Sequence, residues 1–285
     1  MQARWHDMGI DYTYAVLEAV IRVFKTPEGS HIQRPGGRAG RDSPIGPYPQ
    51  AVANVIYSLG VSGAVWDEFP LQMQHTLQQG LQAIGTELNS QEISNIVYGL
   101  GLLRAEYHDL PTELTNELTY NLERVATQNR DMLNEQEVCA TLHGFAKMNA
   151  RWPDLSEELR QVILGCVDNL AEMGVLCLAC SMYSLGVLGA QWSRLPHKTR
   201  ALLLNASTKT RLVDQSIANI VYGLSLLDAK WDKLEPQWKS CILGALVEPD
   251  VFDEDVPQVR IYITKIHTVL IQTNTSIPIY THILI

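Results

Sequence analysis

The sequence predicts an all-α protein, an α-solenoid of helical-hairpin repeats ~40 residues long, and three observations predict it. A Tyr or His recurs as Tyr57, Tyr98, His143, Tyr183 and Tyr222, at spacings of 41, 45, 40 and 39. Nine residues after each comes a second aromatic: Trp66, Tyr107, Trp152, Trp192 and Trp231. The apolar residues around these markers fall three and four apart, as on one face of a helix.

The second copy shows how one unit is built. Ile93, Ile96, Val97, Leu100 and Leu103 give a first helix its apolar face, with Ser90 as the expected N-cap. A turn over Ala105 to Leu110 ends that helix. Pro111 and Thr112 then open a second helix, carried by Leu114, Leu118, Leu122 and Val125. Every copy keeps the turn. Its Ala is Ala64, Ala105, Ala150, Ala190 and Ala229, and its apolar residue is Phe69, Leu110, Leu155, Leu195 and Leu234. Ala-x-aromatic-x-x-Leu reads as a hydrophobic staple between the two helices. Neither helix can bury its face alone, so stacking on neighbouring units must do so.

The organisation follows from this period. Residues 50–249 hold five hairpins, expected to stack in a right-handed array. Residues 1–25 hold a partial copy, in which Ala3, Trp5 and Met8 match the turn, so the chain opens in mid-repeat as a fragment or a degenerate cap would. Residues 26–49 are rich in Gly, Pro and Ser and read as a mobile loop inserted between them. Its Gly36, Gly37 and Gly40 lack the Gly-Lys-Ser/Thr ending of a phosphate loop. The tail, 250–285, changes character: from Val256 onward, sixteen residues are Val, Ile or Thr, which is strand chemistry. A capping hairpin, a disordered tail and the product of a disrupted reading frame all fit it.

"DQSIANIVYGLSLLDAKW" and "NSQEISNIVYGLGLLRAEY" resemble the first helix of octotricopeptide repeats, helical-hairpin units with a Gln-x-Leu-Ala-Asn-x-x-Trp-Ala-Leu-like core. The resemblance covers roughly residues 50 to 249, plus the opening partial copy. It implies stacked hairpins and, by analogy with algal organelle proteins of that family, recognition of specific RNAs in post-transcriptional regulation. Other family members belong to intracellular bacteria. The chain departs from the pattern in having Tyr or His for the usual Trp, no RAP-type domain, and an acidic balance.

A polar period accompanies the apolar one. Seven residues before the first marker stand Gln50, Gln91, Gln136, Leu176 and Gln215; three before it stand Asn54, Asn95, Ala140, Cys180 and Asn219. These positions share one helix face, roughly opposite the apolar core. Gln and Asn amides can pair bidentately with base edges, and Tyr or His can stack on bases, which makes this stripe a candidate for reading single-stranded RNA. An amide ladder joining neighbouring repeats fits the same pattern.

Charge divides the chain. The formal net charge of −9 excludes indiscriminate nucleic-acid binding, which needs clustered cations. Residues 52–172 carry 17 acids and 6 bases, and residues 173–248 carry 5 acids and 8 bases. Within the second stretch Arg194, Lys198, Arg200, Lys209 and Arg211 form a run without an acid, a candidate phosphate track or a solvated helix face.

No enzyme is expected. The eight histidines are scattered, no nucleophile, base and acid share a spacing, and Cys177-Leu-Ala-Cys180 lies inside an aligned first helix without a second pair for zinc. Neither cofactor nor metal is implied. Met173 to Trp192 is uncharged over twenty residues, but its Gly and Ser content reads as a buried helix and not a membrane span. Five cysteines without a leader suggest a reduced, cytoplasmic protein, with an organelle or a host cell as alternatives. The expected function is a binding scaffold for single-stranded RNA. The alternative is a protein–protein scaffold, such as a bacterial effector, whose acidic half engages a basic host partner.

Overall fold

The computed structural model describes residues 5–7, 9–24, 49–84, 88–127, 133–170, 173–209 and 214–246. Most of the Gly/Pro-rich segment 26–49 and all of the tail 250–285 lie outside the described residues; Pro49 instead opens a helix. Among the described residues every regular element is helical. In chain order the α-helices are α1 (Ile10–Phe24), α2 (Pro49–Val61), α3 (Leu71–Ile84), α4 (Ser90–Leu102), α5 (Thr112–Thr127) and α6 (Glu135–Lys147). They continue with α7 (Glu157–Asp168), α8 (Val175–Val187), α9 (His197–Lys209), α10 (Asp214–Leu226) and α11 (Pro236–Leu246). A three-residue 3-10 turn starts at each turn aromatic, from Trp5, Trp66, Tyr107, Trp152, Trp192 and Trp231.

Local chemistry explains the turn. The residue six after each marker is left-handed: Gly63, Arg104, Asn149, Gly189 and Asp228, with φ between 52 and 84°. Its N–H and that of the following Ala fold back onto the helix, as in Arg104 to the Gly101 carbonyl and Ala105 to the Leu100 carbonyl. Gly63 and Ala64, Gly189 and Ala190, and Asp228 and Ala229 repeat the pattern. This is a Schellman ending, which satisfies the last carbonyls of the helix and lets the chain leave it sharply. The recurrent Ala is the residue just beyond the left-handed one, and Ala64, Ala105, Ala150 and Ala190 are buried there.

The helix starts are less uniform. At α4 the cap is Asn89 and not Ser90: its side chain accepts from the Glu92 N–H at 2.9 Å, while Glu92 accepts from the Asn89 N–H at 2.9 Å. Asn has the reach for this reciprocal box, and Ser90 is already helical. Asn134 and Glu137 form the same box at α6. Gly174 begins α8 without a side-chain cap, and its N–H donates instead to Glu135 Oε1 of α6 at 2.8 Å.

The chain divides into two compact units, Met1–Met132 with Lys147–Ala150, and Leu133–Ala146 with Arg151–Ile285. In the first, α2 packs on α4, α1 on α3 and α3 on α5. In the second, α8 packs on α10, α7 on α9 and α9 on α11. Within each unit, then, first helices pack on first helices and second helices on second helices. One backbone hydrogen bond keeps the register between successive hairpins. The turn aromatic donates its N–H to the carbonyl five residues after the next marker: Trp5 to Ser62, Trp66 to Leu103, Tyr107 to Met148, Trp152 to Leu188 and Trp192 to Leu227, at 2.6 to 2.9 Å.

Glycine sets how closely the first helices approach. A Cβ on Gly99 would lie 2.8 Å from Ile56 Cγ2 and 2.9 Å from the Tyr57 nitrogen; one on Gly223 would lie 2.7 Å from the Met182 carbonyl carbon. Gly60 and Gly186 face Leu102 and Leu226 in the same way. At Gly99 and Gly223 a Cβ would run into the neighbouring backbone, and at Gly60 and Gly186 into a leucine Cβ at 2.6 Å.

The turn aromatics differ in burial, and the Trp192 ring meets the second helix of the following hairpin. Trp66 and Trp192 are buried, Trp192 edge-to-face with Trp238 at 5.9 Å between ring centroids. Tyr107 and Trp152 are half-buried, and Trp231 is 37% exposed. The uncharged stretch holds α8, a thirteen-residue helix that is mostly buried but exposes Leu176 and Val187. No described helix is long and apolar enough to cross a membrane.

Candidate nucleic-acid interface

The marker residues, seven residues after the Gln position and three after the Asn position, place their rings along the first-helix layer. Tyr57 and Tyr98 lie 6.2 Å apart between centroids, His143 and Tyr183 6.3 Å, and Tyr183 and Tyr222 6.0 Å, all tilted. Each contact joins equivalent residues of successive hairpins within one unit. Tyr98 is buried, and the other four are half-buried. Burial raises the pKa of Tyr57 and Tyr183 above the usual phenol value, so both rings stay neutral at ordinary pH.

The amides one and two turns earlier differ in exposure. Gln50, Asn54, Gln91 and Gln136 are exposed, and Asn95 is half-buried. Asn219 is half-buried with its Oδ1 turned inward and without a hydrogen-bond partner among the described residues. No hydrogen bond among the described residues links these amide side chains to one another. They stand as separate groups beside the ring series and not as a bonded ladder. At Asn219 bidentate pairing would require the amide to rotate outward. The side chain of Gln215, in the first turn of α10, lies outside the described residues. The stripe is interrupted in the middle of the chain, where Leu176 is 50% exposed and Ala140 is buried.

The cationic run divides. Arg194 and Lys198 are exposed, at the 3-10 turn and the start of α9. Arg200 is half-buried and pairs with Glu235 at 3.7 Å. Its position, eight residues after the turn aromatic, has a structural use elsewhere: Gln74 donates to the Trp66 carbonyl at 3.0 Å and Arg160 to the Trp152 carbonyl at 3.1 Å. The Trp66 carbonyl also accepts from the Phe69 N–H at 3.1 Å, so the long donor on the next helix adds a second bond to the turn there. Sequence reading missed this role, although the constant offset of eight was visible. Arg211 lies outside the described residues, as does the side chain of Lys209. Among the described residues, Arg194 sits on a 3-10 turn and Lys198 and Arg200 on α9, while the described amides sit on first helices.

The C-x-x-C of α8 lies against the main chain of α6. Cys180 Sγ donates to the Cys139 carbonyl of α6 at 3.6 Å, and Cys177 Sγ donates to the Glu135 carbonyl at 3.6 Å. Among the described residues no group of His, Cys, Asp or Glu is arranged to hold a metal ion. Compared with known proteins, the chain matches no family model and no curated relative.

Proposed function

We propose that the hairpins stack as an α-solenoid and that the chain is a scaffold for single-stranded RNA. Bases would lie against the amide stripe and the neutral rings of the first helices. One observation carries the reading: Gln50, Asn54, Gln91 and Gln136 are exposed, and no hydrogen bond ties these amides to each other. Long polar side chains that serve only to join repeats would be expected to bond across them. Amides held at constant register next to aromatic rings supply the two contacts that single-stranded bases use, edge pairing and stacking. Arg194 and Lys198 supply phosphate attraction in the otherwise acidic chain.

Fluorescence anisotropy with random-sequence single-stranded RNA tests this on the full chain. Binding should appear at low salt and weaken steeply as salt is added. Asn54→Ser should change base preference at one position by about 1–3 kcal/mol, while Arg194→Ala weakens all RNAs alike. Absence of binding at low salt, where attraction is greatest, ends the RNA reading. The acidic stretch of residues 52–172, with 17 acids against 6 bases, favours a basic protein as the occupant in that event.

A further inference from the structure

A cleft of about 360 Å³ opens between two successive turns of the second unit, lined by Trp152, Pro153, Arg160, Gly189, Gln191 and Arg194. That is the size of a small-molecule site. Trp152 and Pro153 come from the turn before α7, Arg160 from α7 itself, and the other three from the turn after α8. Arg160 is held in place: its guanidinium donates to the Trp152 carbonyl at 3.1 Å and to Glu157 Oε2 at 2.7 and 3.2 Å. Glu157 Oε1 accepts from Gln161 at 2.7 Å, so both carboxylate oxygens are engaged. Arg194 is exposed, and its guanidinium makes no ion pair or hydrogen bond among the described residues. Gly189 is left-handed, and a Cβ there would meet nothing within 4 Å, so that wall is open.

The repeat supplies its own comparison. At the same six positions of the first unit stand Trp66, Asp67, Gln74, Arg104, Glu106 and Asp109, which bring three acids. At the last junction the set is Trp192, Ser193, Arg200, Asp228, Lys230 and Lys233. There Arg200 pairs with Glu235, and Lys230 with Asp228. The cleft at Arg194 has neither the acids of the first set nor the internal pairing of the last. Its lining is two cations, an amide, a half-buried indole and a proline. We propose that this cleft binds a nucleoside monophosphate, with Arg194 on the phosphate and the Trp152 ring against the base. A guanidinium fork matches two phosphate oxygens, and Arg160 retains N–H groups beyond those it gives to Glu157 and the Trp152 carbonyl. Trp152 and Pro153 require a planar apolar body on the anion, which a bare phosphate lacks and a base supplies. The Gln191 amide can pair with a sugar hydroxyl or a base edge. A free nucleotide and the 5′-terminal nucleotide of an RNA present the same chemistry. The site lies on the turns and does not rest on RNA lying along the first helices.

Isothermal titration calorimetry of the full chain at low salt, with adenosine monophosphate, adenosine and inorganic phosphate as probes, tests the proposal. The monophosphate should bind, and adenosine and phosphate alone should each bind at least about tenfold more weakly. Arg194→Asp should weaken the monophosphate by a similar factor. Asp109 already occupies the equivalent turn position, so that variant keeps a side chain the turn accepts. No binding of the monophosphate, equal binding of adenosine, or unchanged binding in Arg194→Asp would each overturn it. The comparison of probes uses the unaltered chain, so it holds whether or not the variant folds. A short RNA with a 5′-phosphate that binds more tightly than its 5′-hydroxyl form makes the RNA end the occupant; equal binding of the two makes it the free nucleotide. Monophosphate binding without binding of random-sequence RNA would end the RNA reading and leave this site standing.

Discussion

Where α4 meets α2, Asn54 and Asn95 stand one turn before a pair of tyrosine rings. Where α8 meets α6, the same register holds Ala140 and Cys180 beside His143 and Tyr183. The backbone plan is unchanged: the Trp66 N–H reaches the Leu103 carbonyl at the first junction, and the Trp152 N–H reaches the Leu188 carbonyl at the second. Small residues also recur, with Gly60 and Gly99 at the first junction and the buried Ala146 and Ser184 at the equivalent positions of the second. The comparison teaches that turn, register and small contact residues form one system, and the amide or thiol face another. The first fixes how neighbouring hairpins meet; the second is free to take different chemistry from one junction to the next.

Breaking the frame should have the largest effects. Trp192→Ala removes a buried ring and its edge contact with Trp238, and should lower unfolding free energy by about 3–5 kcal/mol in urea titration. Trp231→Ala, at an exposed copy of the same turn position, should cost under about 1 kcal/mol. Equal losses would show that the turn aromatic acts through something other than burial.

Glycine substitutions sharpen the same comparison with smaller effects. Gly223→Ala drives a Cβ into the Met182 backbone and should destabilise by about 1–3 kcal/mol, although Ala is the better helix former. Gly165→Ala on α7, where a Cβ meets nothing within 4 Å, should stabilise by about 0.5–1 kcal/mol. Calorimetric melting of the two variants separates the cases: if both stabilise, close helix approach is not what Gly223 serves.

A local effect is expected at the helix starts. Asn89→Ala removes the capping box of α4 and should cost about 1 kcal/mol, seen as faster amide exchange at Glu92 and Ile93. Unchanged exchange would mean that the box contributes nothing beyond solvent.

Much of this was legible in the residues. The hairpin, its turn and the marker positions follow from interactions spanning nine residues or fewer, so the pattern of Ala, aromatic and Leu records them directly. The cap of α4 was misplaced by one residue because Asn89 and Ser90 are both good caps, and only the reciprocal bond to Glu92 separates them. The cationic run looked uniform in sequence, yet Arg200 is engaged by Glu235, 35 residues away.

By itself the sequence determined the period, the helical hairpin and the place of every turn, because helix periodicity and turn chemistry are local. Tertiary structure alone decided which residues meet between hairpins. Gly99 is read as a weak helix position until the backbone of Ile56 and Tyr57 is found against it. Cys180 is half of an isolated C-x-x-C until the main chain of Cys139, 41 residues earlier, meets it. Separations of this length carry no periodic signal of their own. Contacts across them exist only once apolar faces have driven one hairpin onto the next, and the chemistry of the face is settled at that step.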